Sequence, residues 1–210
     1  ALLKEKLEKE NISVFQIKLP NYADESSTLV KMYLAGQFGD KPEDVNAYAA
    51  STFYSVDRYA SYKKHWQKEY RGGLILADRY TTSNAVHQMT KLPEDQWDHY
   101  LEWLFDFEYH LLGIPEPDCV IFLDMPVEIS QKLMTGRYGG DENKKDVHER
   151  DVEYLKKCYR SAEISRFALG YGVVEVILFS DGFNVGVKLA RRANAPLFEP
   201  LEYSYSPAWS

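Results

Sequence analysis

The sequence predicts an α/β fold, a three-layer sandwich with a parallel sheet flanked by helices. Mostly apolar short runs alternate with longer helical patterns, and these runs are residues 14–19, 74–77, 120–123 and 173–179. Strands that are apolar on both faces are typical of parallel sheets covered by helices. A chain of 210 residues is long enough for one well-packed domain and short for two. We therefore expect a single domain over residues 1–210.

Helices are predicted between these strands from their start and stop residues. Asp24 or Ser26 caps a helix that ends before Gly36. Pro42 lies at the start of a long helix that runs to about Tyr70. Further helices are predicted over residues 2–10, 93–112, 127–135 and 147–169, with a weaker one over 185–192.

Composition and charge exclude several classes of protein. The chain has 25 basic and 32 acidic residues, a net charge of −7, which argues against a protein that coats nucleic acid. No apolar stretch approaches the roughly 20 residues that span a bilayer, and the charged first turns do not resemble a signal peptide. The cysteines Cys119 and Cys158 are far apart, which is typical of a reduced protein. We expect a cytoplasmic protein with no nucleic-acid or membrane partner.

Asp78-Arg79-Tyr80 follows the second predicted strand and is the strongest single signal of a site. Ligands of open parallel sheets bind beyond the carboxyl ends of the strands. The planar fork of an arginine can hold two phosphate oxygens at the same time. The alternative is structural, an Asp78–Arg79 ion pair that only caps the strand.

Two helical patterns carry further candidate binding residues. Tyr54 and Arg58 are four residues apart and share a helix face, where a ring and a guanidinium suit a nucleobase. Ser83, Asn84 and His87 form a second cluster, in which the Asn84 amide offers a donor and an acceptor to a base edge. The alternatives are that Tyr54 lies in the core, that Arg58 is a solvated surface residue and that His87 is structural.

The segment 136–148 is rich in glycine and charge and contains Arg137, Lys144 and Lys145. This composition suits a mobile lid that closes over phosphates and excludes water. The alternative is an ordinary solvated turn.

Four motifs together resemble the thymidylate kinase family. The stretch 76–85 resembles the family's Asp-Arg-Tyr/His signature, and 54–58 resembles its aromatic-x-x-x-Arg helix. Pro117–Asp124 with Pro126 is similar to the family's Pro-Asp…Leu-Asp-x-Pro strand. Lys18-Leu19-Pro20 stands where the family often has Arg-Phe-Pro. The motifs follow the family's order between residues 1 and about 182.

The resemblance implies the fold of the P-loop nucleoside monophosphate kinases. It also implies transfer of the γ-phosphoryl group of ATP to dTMP, giving dTDP, with Mg²⁺. Tyr54 would stack on thymine, Arg58 would hydrogen-bond its carbonyl edge and Asn84 would also meet the base. The other substrate positions that the resemblance implies are Leu19, Pro20, Ser83 and His87.

The same resemblance assigns the phosphate side of the site. Arg79 would hold the acceptor phosphate, and Asp78 would lie close to the reacting phosphates and the metal ion. Arg137 would belong to the lid, with Lys144 and Lys145 beside it on the ATP side. Such a site is chemically reasonable because phosphoryl transfer depends mainly on positioning and charge stabilisation.

The sequence departs from the family in one major respect. The family's first strand and its G-x-x-x-x-G-K-[ST] loop, whose amides hold the donor phosphates, are absent from this chain. Ala1 looks like the start of the helix directly after that loop, so we expect that residues precede it in the complete protein. Two alternatives stay open: a nucleotide-binding protein without catalysis, and a deoxynucleoside kinase that accepts thymidine.

The resemblance also implies a homodimer. Ala47, Ala49, Ala50 and Ser51 on the long helix would permit a close approach of two helices, one from each chain. The alternative is that these small side chains pack inward. The partners expected are thus dTMP, ATP and a second copy of the chain.

Overall fold

A computed structural model describes residues 2–39, 41–71, 73–124, 127–131, 152–168, 172–180 and 185–191. The chain divides into two compact units, Ala1–Pro115 and Glu116–Ser210. The predicted lid at 136–148, with Arg137, Lys144 and Lys145, lies outside the described residues.

The first unit contains two parallel strands and six α-helices among its described residues. Its strands are β1 (Val14–Lys18) and β2 (Leu74–Asp78). Its helices are α1 (Leu2–Lys9), α2 (Thr28–Leu34), α3 (Ala47–Ser61), α4 (Gln67–Tyr70), α5 (Thr81–Gln88) and α6 (Trp97–Phe105). A π-helical turn, Tyr62–Trp66, joins α3 to α4, and a second one, Asp106–Leu111, extends α6.

The two strands run side by side, with Val14 opposite Leu74 and Lys18 opposite Asp78. Beneath them lies a small apolar core that consists of Ile17, Leu19, Tyr62 and Trp66, with Ile75 and Tyr80 packed against it. The π-helical turn contributes both of its aromatic rings to this core, so it attaches the α3–α4 segment to the strands. Helix α5 packs against both α3 and α6.

The long helix does not begin at Pro42, and that prediction is wrong. Pro42–Asp44 forms a single 3₁₀ turn, and the chain is extended at Val45. Helix α3 starts after Asn46, whose side chain accepts a hydrogen bond from the Ala49 amide at 2.9 Å. An asparagine that satisfies a free amide of the first turn is a stronger start signal than a nearby proline.

The second unit contains β3 (Cys119–Asp124), a helical turn at 127–131, α7 (Val152–Ala168), β4 (Gly172–Ser180) and β5 (Val185–Arg191). Strand β3 pairs with β4 in parallel, with Cys119 opposite Gly172. Strand β5 pairs with β4 in the antiparallel sense, from Val174 opposite Arg191 to Ser180 opposite Val185.

The weak helix predicted over 185–192 is therefore wrong, because residues 185–191 form an edge strand. Val185, Val187 and Leu189 alternate with Gly186 and Lys188, which is the two-residue period of a strand. The sheet of the second unit is mixed as a result.

The predicted α/β fold with parallel strands and flanking helices is confirmed. Both units contain a parallel strand pair, β1–β2 and β3–β4. The single domain over 1–210 stays a prediction. In the part of the chain that the structure describes, no helix has the length and apolar character needed to cross a membrane.

Leu19 tests the apolar core under the strands. Its side chain is 3% exposed, so Leu19→Ala leaves a cavity, and we expect the free energy of unfolding to fall by about 2–5 kcal/mol. Leu111, which is 72% exposed, supplies the control, since Leu111→Ala should change stability by less than about 0.5 kcal/mol. Urea unfolding of both variants measures the difference. Equal effects of the two substitutions would show that Leu19 is not part of the core.

Candidate functional site

The carboxyl ends of β1 and β2 meet at one edge of the first unit. The Leu19 amide donates a hydrogen bond to the Asp78 carbonyl at 3.1 Å, which extends the strand pairing by one residue. Pro20 and Arg79 therefore leave the sheet from neighbouring positions. The Leu19–Pro20 peptide bond is cis. This is the edge at which ligands of parallel sheets bind.

Arg79 has a left-handed backbone, with φ at 67°. A residue with a Cβ atom adopts this conformation at a cost of about 1–2 kcal/mol, and such strain is concentrated at functional sites. Both Asp78 and Arg79 are exposed, and no ion pair joins them in the described ranges. The structure therefore does not support the alternative of an Asp78–Arg79 pair that caps the strand.

Tyr54 lies on α3, four residues before Arg58. Its ring is half-buried, and burial raises the pKa of its hydroxyl, whereas the nearby Arg79 and Arg58 charges act in the opposite direction. The Tyr33 ring packs edge-on against Tyr54, with the ring centroids 6.5 Å apart. Both guanidinium charges thus act on Tyr54, and its side chain remains partly exposed.

Arg58 forms a buried ion pair with Glu108. Arg58 is 3% exposed, and Glu108 is completely buried. Arg58 Nε lies 2.6 Å from Glu108 Oε2, and Nη2 lies 2.8 Å from Oε1, so the contact is bidentate. Burial by itself would lower the pKa of Arg58, but the carboxylate raises it above the ordinary value. Arg58 is therefore not the solvated residue of the alternative interpretation.

Three more side chains donate hydrogen bonds to the same carboxylate. Ser55 Oγ is 2.7 Å from Glu108 Oε1, and Thr81 Oγ1 is 2.6 Å from Oε2. Asn84 Nδ2 is divided between Glu108 Oε1 at 3.4 Å and the Ser51 carbonyl at 3.3 Å. Glu108 thus brings together α3 and α5, and it holds two of the predicted base-binding residues within one network.

Tyr80 packs against the Arg58 guanidinium of this network. Its ring lies 5.5 Å from the Arg58 guanidinium carbon, within the range of a cation–π contact. Its hydroxyl donates a hydrogen bond to the Pro115 carbonyl at 2.7 Å. Burial raises the pKa of that hydroxyl, so Tyr80 remains a neutral donor at physiological pH.

A second buried carboxylate, Asp57, holds the loop after β1. It accepts hydrogen bonds from the Asn21 amide at 2.9 Å and from Ser26 Oγ at 2.6 Å. Pro20 is partly exposed, whereas Leu19 lies in the apolar core. The backbone that follows the first strand is therefore fixed from α3.

The other predicted residues have varied positions. Ser83 and His87 are half-buried on α5. Arg137, Lys144 and Lys145 lie outside the described residues. Ala47, Ala50 and Ser51 are buried within the unit, so these small side chains pack inward, as the alternative interpretation proposed.

Glu108 was missed by the sequence analysis. Its signal lies in the apolar stripe of α6 and its extension, which consists of Trp97, Tyr100, Leu101 and Leu104. Glu108 is four residues beyond Leu104 and continues this stripe. A charged residue on the buried face of an amphipathic helix indicates a buried partner of opposite charge.

No group of three or more histidine, cysteine or acidic side chains capable of holding a metal ion occurs in the described residues. Magnesium ions need fewer protein ligands, since one or two carboxylates commonly act together with substrate phosphates. Asp78 is such a carboxylate, exposed at the strand edge and free of ion pairs within the described part of the chain.

An α/β unit with an exposed arginine and an exposed carboxylate at the strand ends offers groups that suit a phosphate-bearing ligand. The family model described as thymidylate kinase matches residues 1–167. The chain is 30% identical over 148 residues to a thymidylate kinase of Mycobacterium tuberculosis, covering 69% of this chain and 68% of the relative. It is 26% identical over 112 residues to one of Caenorhabditis elegans, covering 53% and 46%. The chain belongs to the thymidylate kinase family, a family of kinases.

The Arg58–Glu108 pair makes a prediction about stability. Arg58→Met leaves a buried carboxylate without its counter-charge, and we expect it to lower the free energy of unfolding by about 3–5 kcal/mol. The double variant Arg58→Met, Glu108→Leu removes both charges and should recover part of that loss, because Thr81 still loses its buried acceptor. Urea unfolding measures both variants. A double variant as unstable as the single one would contradict this account.

Lys91 makes a prediction about pH. Its ammonium donates to Tyr33 Oη at 2.8 Å and to the Val45 carbonyl at 2.9 Å. Burial lowers the pKa of Lys91 from 10.5 to about 8, so between these values the unfolded chain holds a proton that the folded chain has released. The free energy of unfolding should therefore rise with pH over this interval. Denaturation of wild type and Lys91→Gln measures the effect, and the variant should lack it; the same slope in both would exclude Lys91 as the cause.

Proposed function

We propose that this chain carries the acceptor site of a dTMP kinase, which transfers the γ-phosphoryl group of ATP to dTMP and forms dTDP. One observation carries the proposal. Arg58 and Asn84, from two helices, contact the same Glu108 carboxylate, and the charges of Arg58 and Arg79 both act on Tyr54. The names of the relatives support the choice of dTMP as the acceptor.

The base would lie against the exposed part of the Tyr54 ring. Glu108 occupies Nε and Nη2 of Arg58, and Nη1 has no hydrogen-bond partner in the described residues. A guanidinium only donates hydrogen bonds, so this group suits a carbonyl of thymine. Asn84, which also contacts Glu108, would meet the same base together with Ser83 and His87 on α5.

The phosphate of dTMP would bind Arg79. The exposed guanidinium is not neutralised by an ion pair within the described ranges, and it lies at the strand edge where a dianion is expected. Deoxynucleosides lack this charge, so the arrangement favours a monophosphate over the alternative acceptor thymidine. Pro20 would line the adjacent wall of the pocket.

The residues of this site fit Mg²⁺, with Asp78 as its carboxylate neighbour. The ion supplies neutralisation of the charge between the phosphoryl groups when it is bound. Asp78 would hold the Mg²⁺ ion at the strand edge, next to the phosphate bound by Arg79. The lid residues Arg137, Lys144 and Lys145 are proposed for the ATP side from the sequence alone. A cytoplasmic homodimer is likewise proposed from the family resemblance.

Arg79 provides the direct test of the acceptor site. Arg79→Ala removes the phosphate contact while the backbone conformation stays the same for another L-residue, and kcat/KM for dTMP should fall by about 100-fold or more. An ATP-coupled assay on the full-length protein measures this. Arg71→Ala is the matched control, because Arg71 is also exposed but ends α4, outside the site.

The same assay with dTMP, dUMP, dCMP and AMP tests the choice of base. Turnover of AMP equal to that of dTMP would overturn the thymine assignment. Binding of dTMP without ATP binding or turnover would support a nucleotide-binding protein without catalysis.

A lower melting temperature of Arg79→Ala with unchanged kinetics would show a structural role for Arg79.

A further inference from the structure

We propose that Glu108 is the positioning residue for base selection. It holds the Arg58 guanidinium in one orientation, so that the remaining N–H groups favour a pyrimidine with a carbonyl over one with an amino group at the facing edge. The inference rests on the proposed function, because it concerns how the same site distinguishes thymine or uracil from cytosine.

The Glu108 carboxylate has no capacity left for a ligand. Four short hydrogen bonds, from Ser55, Thr81 and two nitrogens of Arg58, occupy both oxygens, and a carboxylate offers about four acceptor positions. The side chain is also completely buried. Glu108 is therefore not a catalytic residue, and any influence on the substrate passes through the groups that it holds.

Arg58 is the group most affected by this contact. The bidentate contact fixes the guanidinium plane, and the Tyr80 ring lies beside it at 5.5 Å from the guanidinium carbon. A free arginine side chain has many rotamers, and ordering it at the time of binding would weaken affinity. Here Glu108 orders the side chain before the nucleotide arrives.

The polarity of Arg58 then determines which base is accepted. A guanidinium donates hydrogen bonds and cannot accept them, whereas the amino group of cytosine is itself a donor. A movable arginine could turn away from cytosine. When Glu108 holds Arg58 in place, the N–H group of Arg58 and the amino group of cytosine face each other as two donors without an acceptor. A hydrogen-bond donor without an acceptor is unfavourable in a site from which water is excluded. The discrimination between thymine and cytosine therefore depends on the fixed orientation of Arg58.

Stability alone is a weak explanation for this buried pair. Replacing a buried ion pair by apolar residues of similar volume is often neutral or stabilising. The pair supplies something that apolar residues cannot, a charged donor whose direction is set from three helical segments, namely α3, α5 and the Asp106–Leu111 turn.

Equilibrium binding of dTMP and dCMP to the full-length protein tests the proposal without requiring phosphoryl transfer. Calorimetry should show that wild type prefers dTMP, and that Glu108→Gln reduces the preference by about 10-fold or more, through weaker dTMP binding and a smaller penalty on dCMP. Asp57→Asn is the matched control. It neutralises a buried carboxylate on α3 that contacts Asn21 and Ser26 rather than Arg58, so it should keep the wild-type preference.

A double variant separates positioning from a general structural effect. If Glu108 acts through Arg58, then adding Glu108→Gln to Arg58→Met should cause no further loss of preference. Thr81→Val, which removes one short bond to the carboxylate, should reduce the preference in the same direction and replaces Glu108→Gln if that variant does not fold.

Several results would overturn the proposal. An unchanged dTMP preference in folded Glu108→Gln, or an equal loss in Asp57→Asn, would show that Glu108 is merely structural. A further loss in the double variant would show that it acts independently of Arg58. If wild type binds dTMP but has no kinase activity, the proposed reaction fails while this inference stands; if wild type binds neither nucleotide, both fail.

Discussion

Glu108 and Arg58 face each other inside the first unit with almost no access to water, so the protein itself must supply the hydrogen-bond donors that the Glu108 carboxylate needs. This requirement dictates the surrounding residues. The hydroxyls of Ser55 and Thr81 donate hydrogen bonds to the carboxylate, and the Asn84 amide donates a longer one. The Tyr80 ring makes a cation–π contact with the guanidinium. The helices α3 and α5 and the end of α6 are thereby held in one arrangement, since a shift of any of them would expose an unmatched buried charge.

The two arginines of the site have opposite environments, and each suits a different part of a nucleotide. Arg58 is buried, paired and fixed, which suits recognition of a neutral base edge where direction decides the outcome. Arg79 is exposed at the strand end, in a strained backbone conformation, which suits a phosphate whose charge attracts it over a wider range of geometries. Tyr54 lies close enough to both for their charges to influence its hydroxyl. In the proposed site, a short span of the molecule would thus combine directional recognition of the base with electrostatic recognition of the phosphate.

The sequence predicted the strands, most helices and the family, because these depend on local periodicity and on motifs with a fixed spacing. It placed Arg58 and Asn84 together in function, but Glu108 lies 50 residues from Arg58, and only its place on an apolar stripe indicated burial. The left-handed backbone of Arg79 follows from its surroundings, since arginine has no local preference for it. The error at Pro42 arose because a proline starts a 3₁₀ turn as readily as a helix. The edge strand 185–191 was misread because its apolar alternation covers only residues 185–189.

Asp57 and Arg58 are adjacent on α3, yet they serve different sides of the unit. The carboxylate anchors the chain that leaves β1, and the guanidinium enters the Glu108 network. Successive residues of an α-helix differ by about 100° in direction. Helix α3 can therefore reach the loop after β1 with Asp57 and Glu108 with Arg58 in only one rotation about its axis. Insertion or deletion of one residue between Asn46 and Asp57 would turn both charged side chains away from these partners. The number of residues between Asn46 and Asp57 is consequently as constrained as the identity of these residues, even at positions whose side chains do not contact either partner.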